Sequence, residues 1–183
     1  MKKIKTYYTL LPLIALLASC QSDPPPANGR VLSQDSINER MITANKILTS
    51  SETDKINNYI SRYQWKMKET GTGLWYMIYK EGKGKKAEFG DIVKINYKTS
   101  LLNGVNIYSS DESGAKEFEV GKAQVESGME EGILLLKVGD KAKFIIPSHL
   151  GFGLMGDENK IPSKAALVYD IELISIEKQN QKK

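Results

Sequence analysis

The chain has 183 residues, with 26 lysines and arginines, 22 aspartates and glutamates, and a formal net charge of +4 at pH 7. Lys2, Lys3 and Lys5 all precede the first apolar run, so 23 basic side chains remain against 22 acidic ones in the rest of the chain. This near-neutral balance gives no reason to expect a nucleic acid or an anionic membrane surface as a partner.

The first twenty residues predict a bacterial lipoprotein signal. A basic start is followed by an apolar run from Leu10 to Ala18, which is too short to span a membrane as a helix. The run ends in Leu17-Ala-Ser-Cys20, which matches the lipobox, whose Cys becomes the lipidated first residue of the mature chain. The alternative, an incidental Cys beside an ordinary cleavage site, would leave a free thiol in an oxidising compartment. We therefore predict a signal peptide over residues 1–19 and lipidation at Cys20.

The next two segments predict a tether and a helical extension. Residues 20–32 carry Pro24-Pro25-Pro26 among small and polar residues, which is typical of an extended, semi-rigid spacer. In residues 33–70, apolar side chains recur at helical spacing, and Ser51-Glu-Thr-Asp54 has the form of a capping box between two such stretches. We therefore predict two amphipathic helices. Their apolar stripes would pack on each other or on the C-terminal domain, or would serve as a dimerisation or client-holding arm.

Residues 71–177 alternate strand and turn signals, and residues 178–183 form a charged tail. Leu74 to Lys80, Lys141 to Ile146 and Ala165 to Ile176 have the composition or period of strands. Met129, Ile133 and Leu136 fall at i, i+4 and i+7, which predicts one short helix that ends before Gly139. Between the last two strands, the density of Gly and Pro predicts an ordered loop that presents apolar side chains.

This order of segments resembles the FKBP-type peptidyl-prolyl isomerase domain. The matching segments are GDIVKINYKTSLLNG, the YSS that follows, VGKAQVESGMEEG, VGDKAKFIIP, the GFG loop and IPSKAALVYDIEL. Their ordered co-occurrence is more specific than any single motif. The resemblance implies an α+β fold, an antiparallel β-sheet wrapped around one short helix, here preceded by the two-helix extension. It also implies isomerisation of prolyl bonds in client proteins, without a cofactor.

The resemblance implies which residues form the cup for the proline ring. Position by position, the catalytic residues are Tyr97, Phe152 and Tyr169, and the substrate-binding residues are Ile107, Tyr108, Phe118, Val125, Glu126, Met129 and Ile161. By residue type alone, Phe118, Val125, Ile161 and Tyr169 fit a domain core equally well. No metal site is expected, since the single histidine, His149, has no second His or Cys near it in sequence.

The cup departs from the family pattern at five positions. The family commonly has Asp where this chain has Tyr108, Trp where it has Met129, and Tyr where it has Phe152. Glu126 replaces an Ile whose main chain contacts ligand, and Lys116 replaces an aromatic residue. These changes leave two hypotheses: an isomerase of weakened or altered specificity, and a non-catalytic FKBP-fold chaperone or scaffold.

The combination of lipobox, helical extension and FKBP variant resembles the gliding-motility-associated isomerase lipoproteins of Bacteroidota. The implied clients are cell-envelope proteins, including those of the gliding and type IX secretion machinery. Gln21 follows the lipidated Cys in place of an aspartate retention signal, so we expect a lipid anchor in the outer membrane, facing the periplasm. We expect the N-terminal helices to provide a homodimer contact if they form an arm.

Overall fold

The computed structural model describes residues 33–178. The signal peptide, Cys20, the tether and residues 179–183 lie outside the described residues, so the expectations for them stay predictions. The described elements are, in chain order, α1 Gln34–Tyr63, β1 Lys68–Glu69, β2 Trp75–Lys80, β3 Asp91–Leu101, β4 Asn106–Ser109, α2 Ser110–Ser113, β5 Lys116–Glu119, α3 Ser127–Ile133, β6 Lys141–Ile146, a 3₁₀ turn Ser148–Leu150, and β7 Leu167–Lys178.

The strands form one antiparallel sheet, which confirms the predicted fold class. The strand order is β1-β2-β6-β7-β3-β4, and β5 pairs with β3 beside this path. The centre is the long pair β3–β7, whose register runs from Asp91 opposite Lys178 to Leu101 opposite Leu167. Because successive side chains of a strand point to opposite faces, β7 contributes Leu167, Tyr169 and Ile171 to one apolar cluster and Val168 to another.

The short helix α3 lies against one face of the sheet, in close contact with β6. A Cβ atom added to Gly132 would lie 2.4 Å from Cε2 of Phe144, and one added to Gly128 would lie 2.6 Å from Cγ2 of Ile146. Both glycines therefore allow the helix backbone to approach the sheet. The helix is shorter than the sequence predicted, because the N–H groups of Leu135 and Leu136 bond three residues back, to Gly132 and Ile133.

The two predicted N-terminal helices are a single helix, so that prediction was wrong. Helix α1 runs for 30 residues from Gln34 to Tyr63, and Ser51-Glu-Thr-Asp54 lies inside it. No Gly or Pro interrupts residues 33–63, and the Glu52 carboxylate accepts from the N–H (2.7 Å) and hydroxyl (2.9 Å) of Ser148 rather than capping a new helix. The helix begins instead at Gln34 and is capped by Ser33, whose Oγ accepts from the Ser36 N–H at 3.3 Å. Neither α1 nor any other helix within residues 33–178 is long and apolar enough to cross a membrane.

The second part of α1 packs on the other face of the sheet. The chain divides into two units between Met41 and Ile42, so this part of the helix belongs with the sheet. Ile56 and Tyr59 are buried in a cluster with Ile145, Ala166 and Val168, which confirms for this stretch that the apolar stripe packs on the domain. Earlier along α1, Ile47 remains 62% exposed. A homodimer contact through this exposed stretch stays a prediction.

The different burial of two isoleucines along α1 predicts that they contribute differently to the stability of the protein. Ile56 is 2% exposed, so Ile56→Ala leaves a cavity under the sheet and lowers the free energy of unfolding by about 2 to 4 kcal/mol. Ile47→Ala is the matched control, since an exposed Ile→Ala change in a helix alters stability by no more than about 0.5 kcal/mol. Urea unfolding measures both values, and equal effects would mean that α1 does not pack on the sheet as described.

Candidate active site

A cavity of about 130 Å³ opens between β3, α3, the loop after the 3₁₀ turn and the start of β7. Seven of the ten predicted cup residues line it, and they come from five separate segments of the chain. The lining residues are Ile95, Tyr97, Thr99, Tyr108, Lys116, Val125, Glu126, Met129, Phe152 and Tyr169. We call this cavity the cup.

The other three predicted residues do not line the cup. Ile107, Phe118 and Ile161 are each 3% to 4% exposed and belong to the apolar core beneath it. Their role in substrate binding stays a prediction, and their burial fits the alternative of core residues that the sequence left open for Phe118 and Ile161. They support the cup walls by packing against them, without reaching the cavity.

Strand β3 supplies two lining residues that the sequence analysis missed. Ile95, Tyr97 and Thr99 are two residues apart, so their side chains share one face of the strand. Ile95 and Thr99 are buried, at 0% and 1% exposure, and flank Tyr97 in the cup. The period of two around Tyr97 was the signal that could have identified both.

The loop that carries Phe152 is closed by a glycine. Gly156 has φ of +73°, and a Cβ atom there would lie 2.1 Å from the carbonyl oxygen of Ile161. A residue with a side chain would be strained and would also collide with the opposite side of the loop. The glycine therefore lets the loop fold back on itself and hold Phe152 at the cup.

Tyr169 and Glu126 form a hydrogen-bonded pair in the wall of the cup. The Tyr169 hydroxyl donates to Oε1 of Glu126 at 2.8 Å. Burial, followed by the nearby Glu126 charge, raises the pKa of Tyr169 well above its usual value, so this hydroxyl stays protonated. The second carboxylate oxygen, Oε2, is buried and has no hydrogen-bond partner among residues 33–178.

Tyr108 is hydrogen-bonded to a loop carboxylate, Asp157, that the sequence analysis did not identify. Its hydroxyl donates to Oδ2 of Asp157, while Oδ1 accepts from the N–H groups of Asn159 (3.0 Å) and Ile161 (2.6 Å). Burial alone would raise the pKa of Asp157, but these donors hold it below its ordinary value. A carboxylate thus contacts the Tyr108 hydroxyl, although Asp157 itself does not line the cup. The Asp157–Asn159 bond is an Asx turn, a local signal that was available in the sequence.

The third cup tyrosine is also hydrogen-bonded. The Tyr97 hydroxyl lies 3.1 Å from the Ser113 hydroxyl, and the Tyr97 N–H donates to Oγ of Ser110 at 3.1 Å. These serines belong to α2, which is capped by the Ser109 side chain. Ser110, the second of the two serines that follow Tyr108, therefore connects the start of α2 to β3.

The cup has the chemistry that isomerisation of a prolyl bond requires. Rotation about a peptide bond crosses a barrier of about 18 to 20 kcal/mol because twisting removes the amide resonance. A catalyst needs a dry apolar site for the ring and fixed dipoles around the twisting amide, and it needs no nucleophile. Val125, Met129 and Phe152 supply apolar walls, and the bonded tyrosines and carboxylates supply fixed dipoles.

A larger cavity, of about 490 Å³, lies apart from the cup. It is bordered by α1, the turn after β3, the 3₁₀ turn and the start of β7, with Leu48, Leu102, Leu154 and Ala166 among its lining residues. His149, which also borders it, is exposed, and its Nε2 lies 2.9 Å from the carbonyl oxygen of Thr72. We place the candidate active site in the smaller cup, because the buried polar groups converge there. Within residues 33–178, no group of three or more His, Cys, Asp or Glu side chains is arranged to hold a metal ion.

Comparison with known proteins agrees with this geometry. The family model for FKBP-type peptidyl-prolyl cis-trans isomerase matches residues 83–174. FK506-binding protein 2 of Dictyostelium discoideum is 45% identical over 92 residues, which cover 50% of this chain and 69% of that protein. A probable FKBP-type isomerase of Haemophilus influenzae is 33% identical over 156 residues, 81% of this chain and 64% of that protein. The FkpA isomerase of Aeromonas hydrophila is 42% identical over 113 residues, and the match spans 41% of its length.

Two solved structures share the fold. The crystal structure of FkpA from Escherichia coli superposes with a TM-score of 0.61 at 27% identity, covering 81% of this chain and 75% of that one. The crystal structure of AtFKBP13 superposes with a TM-score of 0.59 at 29% identity, covering 61% of this chain and 98% of that one. The cup, the sheet and the family match together identify the chain as a member of the FKBP-type peptidyl-prolyl cis-trans isomerases, a family of enzymes.

Proposed function

We propose that this chain catalyses cis-trans isomerisation of prolyl bonds in secreted or envelope proteins, with a specificity that differs from the family pattern. The observation that carries the proposal is the cup, where apolar walls surround three tyrosines with fixed hydroxyl groups. The proline ring would enter between Met129 and Phe152. The twisting amide would then face the hydrogen-bonded polar groups rather than water, which strengthens each electrostatic contact.

The departures from the family pattern change the walls of the cup without closing it. Met129 fills its position with a flexible, polarisable side chain, and Phe152 keeps an aromatic ring without a hydroxyl. Tyr108 lines the cup and donates its hydroxyl to Asp157, which lies outside the lining. Because the cavity stays open and polar groups still converge on it, we favour altered specificity over loss of activity.

A second candidate function is a chaperone or scaffold with little or no isomerase activity. The observation that favours it is apolar surface outside the cup: Leu154 and Met155 are 70% and 74% exposed, and Leu154 borders the larger cavity. Such surface is a common property of sites that bind unfolded chains. In that case the cup would bind proline segments without accelerating their rotation.

A proline-isomerisation assay separates the two candidates. The unlipidated chain from Gln21 is expected to accelerate both a short prolyl peptide and the proline-limited refolding of a protein. Tyr97→Ala and Phe152→Ala each remove a wall of the cup and should lower kcat/KM about tenfold or more, which corresponds to about 1.4 kcal/mol of transition-state stabilisation.

Leu154→Ala is the matched control, because Leu154 lies on the same loop as Phe152 but outside the cup. It should leave kcat/KM for the short prolyl peptide unchanged. If a folded wild-type chain accelerates neither substrate, the isomerase proposal fails. Suppression of client aggregation by that same inactive chain would then support the chaperone or scaffold.

We also propose that Cys20 carries a lipid that anchors the chain to the outer membrane, with the domain facing the periplasm. The support is the Leu17-Ala-Ser-Cys20 motif and the absence of aspartate at position 21. Residues 20–32, which contain three consecutive prolines, would hold the domain away from the bilayer. The clients would be proline-containing envelope proteins.

We further propose that these clients include the gliding and type IX secretion machinery. The support is the overall likeness of the lipobox, helical extension and FKBP variant to the gliding-motility-associated lipoproteins of Bacteroidota. The isomerase cup and the membrane anchor would then act together, since an anchored enzyme meets envelope proteins as they leave the membrane.

A deletion strain of the source bacterium tests the anchor and the client proposal. Wild-type chain should appear in the membrane fraction and restore surface motility. Cys20→Ser should move the chain to the periplasmic fraction, because the thiol that receives the lipid is gone. Phe152→Ala should remain in the membrane and fail to restore motility. Membrane retention of Cys20→Ser would contradict the anchor, and normal motility of the deletion strain would contradict the client proposal.

A further inference from the structure

We propose that Glu126 makes the cup selective for prolyl segments that carry a cationic side chain next to the proline. This inference rests on the proposed function, because it names the substrate class of the same cup. Glu126 stands where the family has an aliphatic side chain, so its carboxylate adds a subsite that the fold does not require. The subsite would take the ammonium or guanidinium group of a lysine or arginine adjacent to the prolyl bond.

The first observation is the unused oxygen of Glu126. Oε1 accepts from Tyr169, but Oε2 is buried without a partner among the described residues. Buried polar groups are normally hydrogen-bonded, and leaving one unpaired is costly. A substrate group that donates to Oε2 would remove this cost. The carboxylate therefore favours a ligand that brings a donor.

The second observation is the direction of the neighbouring hydroxyl groups. A tyrosine hydroxyl has one hydrogen to donate, and both Tyr169 and Tyr108 donate theirs to carboxylates, Glu126 and Asp157. The Tyr169 oxygen can then offer lone pairs to a bound segment, whereas the Tyr108 oxygen already accepts from Nδ2 of Asn159 at 3.5 Å. The Thr99 hydroxyl also lies buried in the cup without a partner among residues 33–178. Apart from it, the side-chain oxygens around Tyr169 act as acceptors and match a substrate that supplies hydrogens.

The charge of the carboxylate favours a cation over a neutral donor. Charge-assisted hydrogen bonds are roughly twice as strong as neutral ones, and exclusion of water from the filled cup strengthens them further. Lys116 also lines the cup, but it is exposed and forms no ion pair within 4.0 Å with Glu126. Its ammonium group would repel a cationic substrate at the rim of the cup. It does not pair with the buried oxygen Oε2 of Glu126.

A purely structural role for Glu126 gives a different expectation. If the carboxylate acted only to hold Tyr169 in position, its loss would lower kcat/KM equally for all substrates. A subsite instead changes the ratio between substrates. The ratio of kcat/KM for cationic and neutral peptides is therefore the decisive readout.

The experiment uses the chain from Gln21, which contains every described residue, and two peptide series. In one series the residue before proline is Lys, Leu or Glu, and in the other the residue after proline is varied in the same way. Both kcat/KM and the Kd for each peptide are measured. In at least one series, the wild type is expected to favour Lys over Leu by about tenfold, the scale of one charge-assisted hydrogen bond, with Glu the poorest.

Glu126→Gln keeps the size of the side chain and removes its charge, so the Lys/Leu ratio should fall to within about twofold. Lys116→Met removes the rim cation and should raise the ratio. Circular dichroism checks that both variants are folded. Glu126→Asp, which keeps the charge on a shorter stem, should retain part of the preference.

The outcomes separate the subsite from the proposed function. Equal kcat/KM for Lys and Leu in both series, with an active wild type, overturns the subsite and leaves the isomerase proposal intact. No acceleration, with binding that still prefers Lys and loses this preference in Glu126→Gln, supports the subsite and contradicts the isomerase. Neither acceleration nor a Lys preference in binding overturns both.

Discussion

The close contact between α3 and the sheet is the constraint on which the cup depends. Gly128 and Gly132 are four residues apart, so they lie on one face of the helix, against Ile146 and Phe144. The absence of side chains at these two positions lets the helix backbone sit against β6. Met129, on an adjacent position of the same turn, is then buried at the base of the cavity. A wider helix–sheet spacing would open the cup from below and admit water.

The polar groups of the cup are organised by pairs rather than by single catalytic side chains. Tyr169 is fixed by Glu126, and Tyr108 is fixed by Asp157, which the loop also holds through backbone N–H groups. Fixed dipoles stabilise a twisted amide without having to reorganise during the reaction. In the proposed function, the pairing that fixes these groups would also determine which substrate atoms the cup binds, so that catalysis and selectivity would depend on one set of contacts.

Period-two patterns predicted the sheet and helical spacing predicted the short helix, because both reflect local geometry. Most of the lining of the cup was predicted from the resemblance to the FKBP-type domain. The sequence prediction was wrong where a local signal competed with a distant contact. Ser51-Glu-Thr-Asp54 has the form of a cap, but Glu52 bonds to Ser148, 96 positions away. Asp157 was missed for the same reason, since its partner Tyr108 is 49 positions distant. Ile107 was predicted to bind substrate from its position in the resemblance; its side chain lies in the core and outside the lining of the cavity, and its role in binding stays a prediction.

The packing of α1 on the sheet determines how far the chain can be shortened at its N-terminal side without exposing apolar side chains. The family match begins at residue 83, yet Ile145 and Val168, well inside that match, are buried together with Ile56 and Tyr59 of the helix. A domain excised at the family boundary would present these apolar side chains to water as a continuous patch, a feature that promotes aggregation. One face of the isomerase domain is therefore covered by a helix that lies outside the residues matched by the family model.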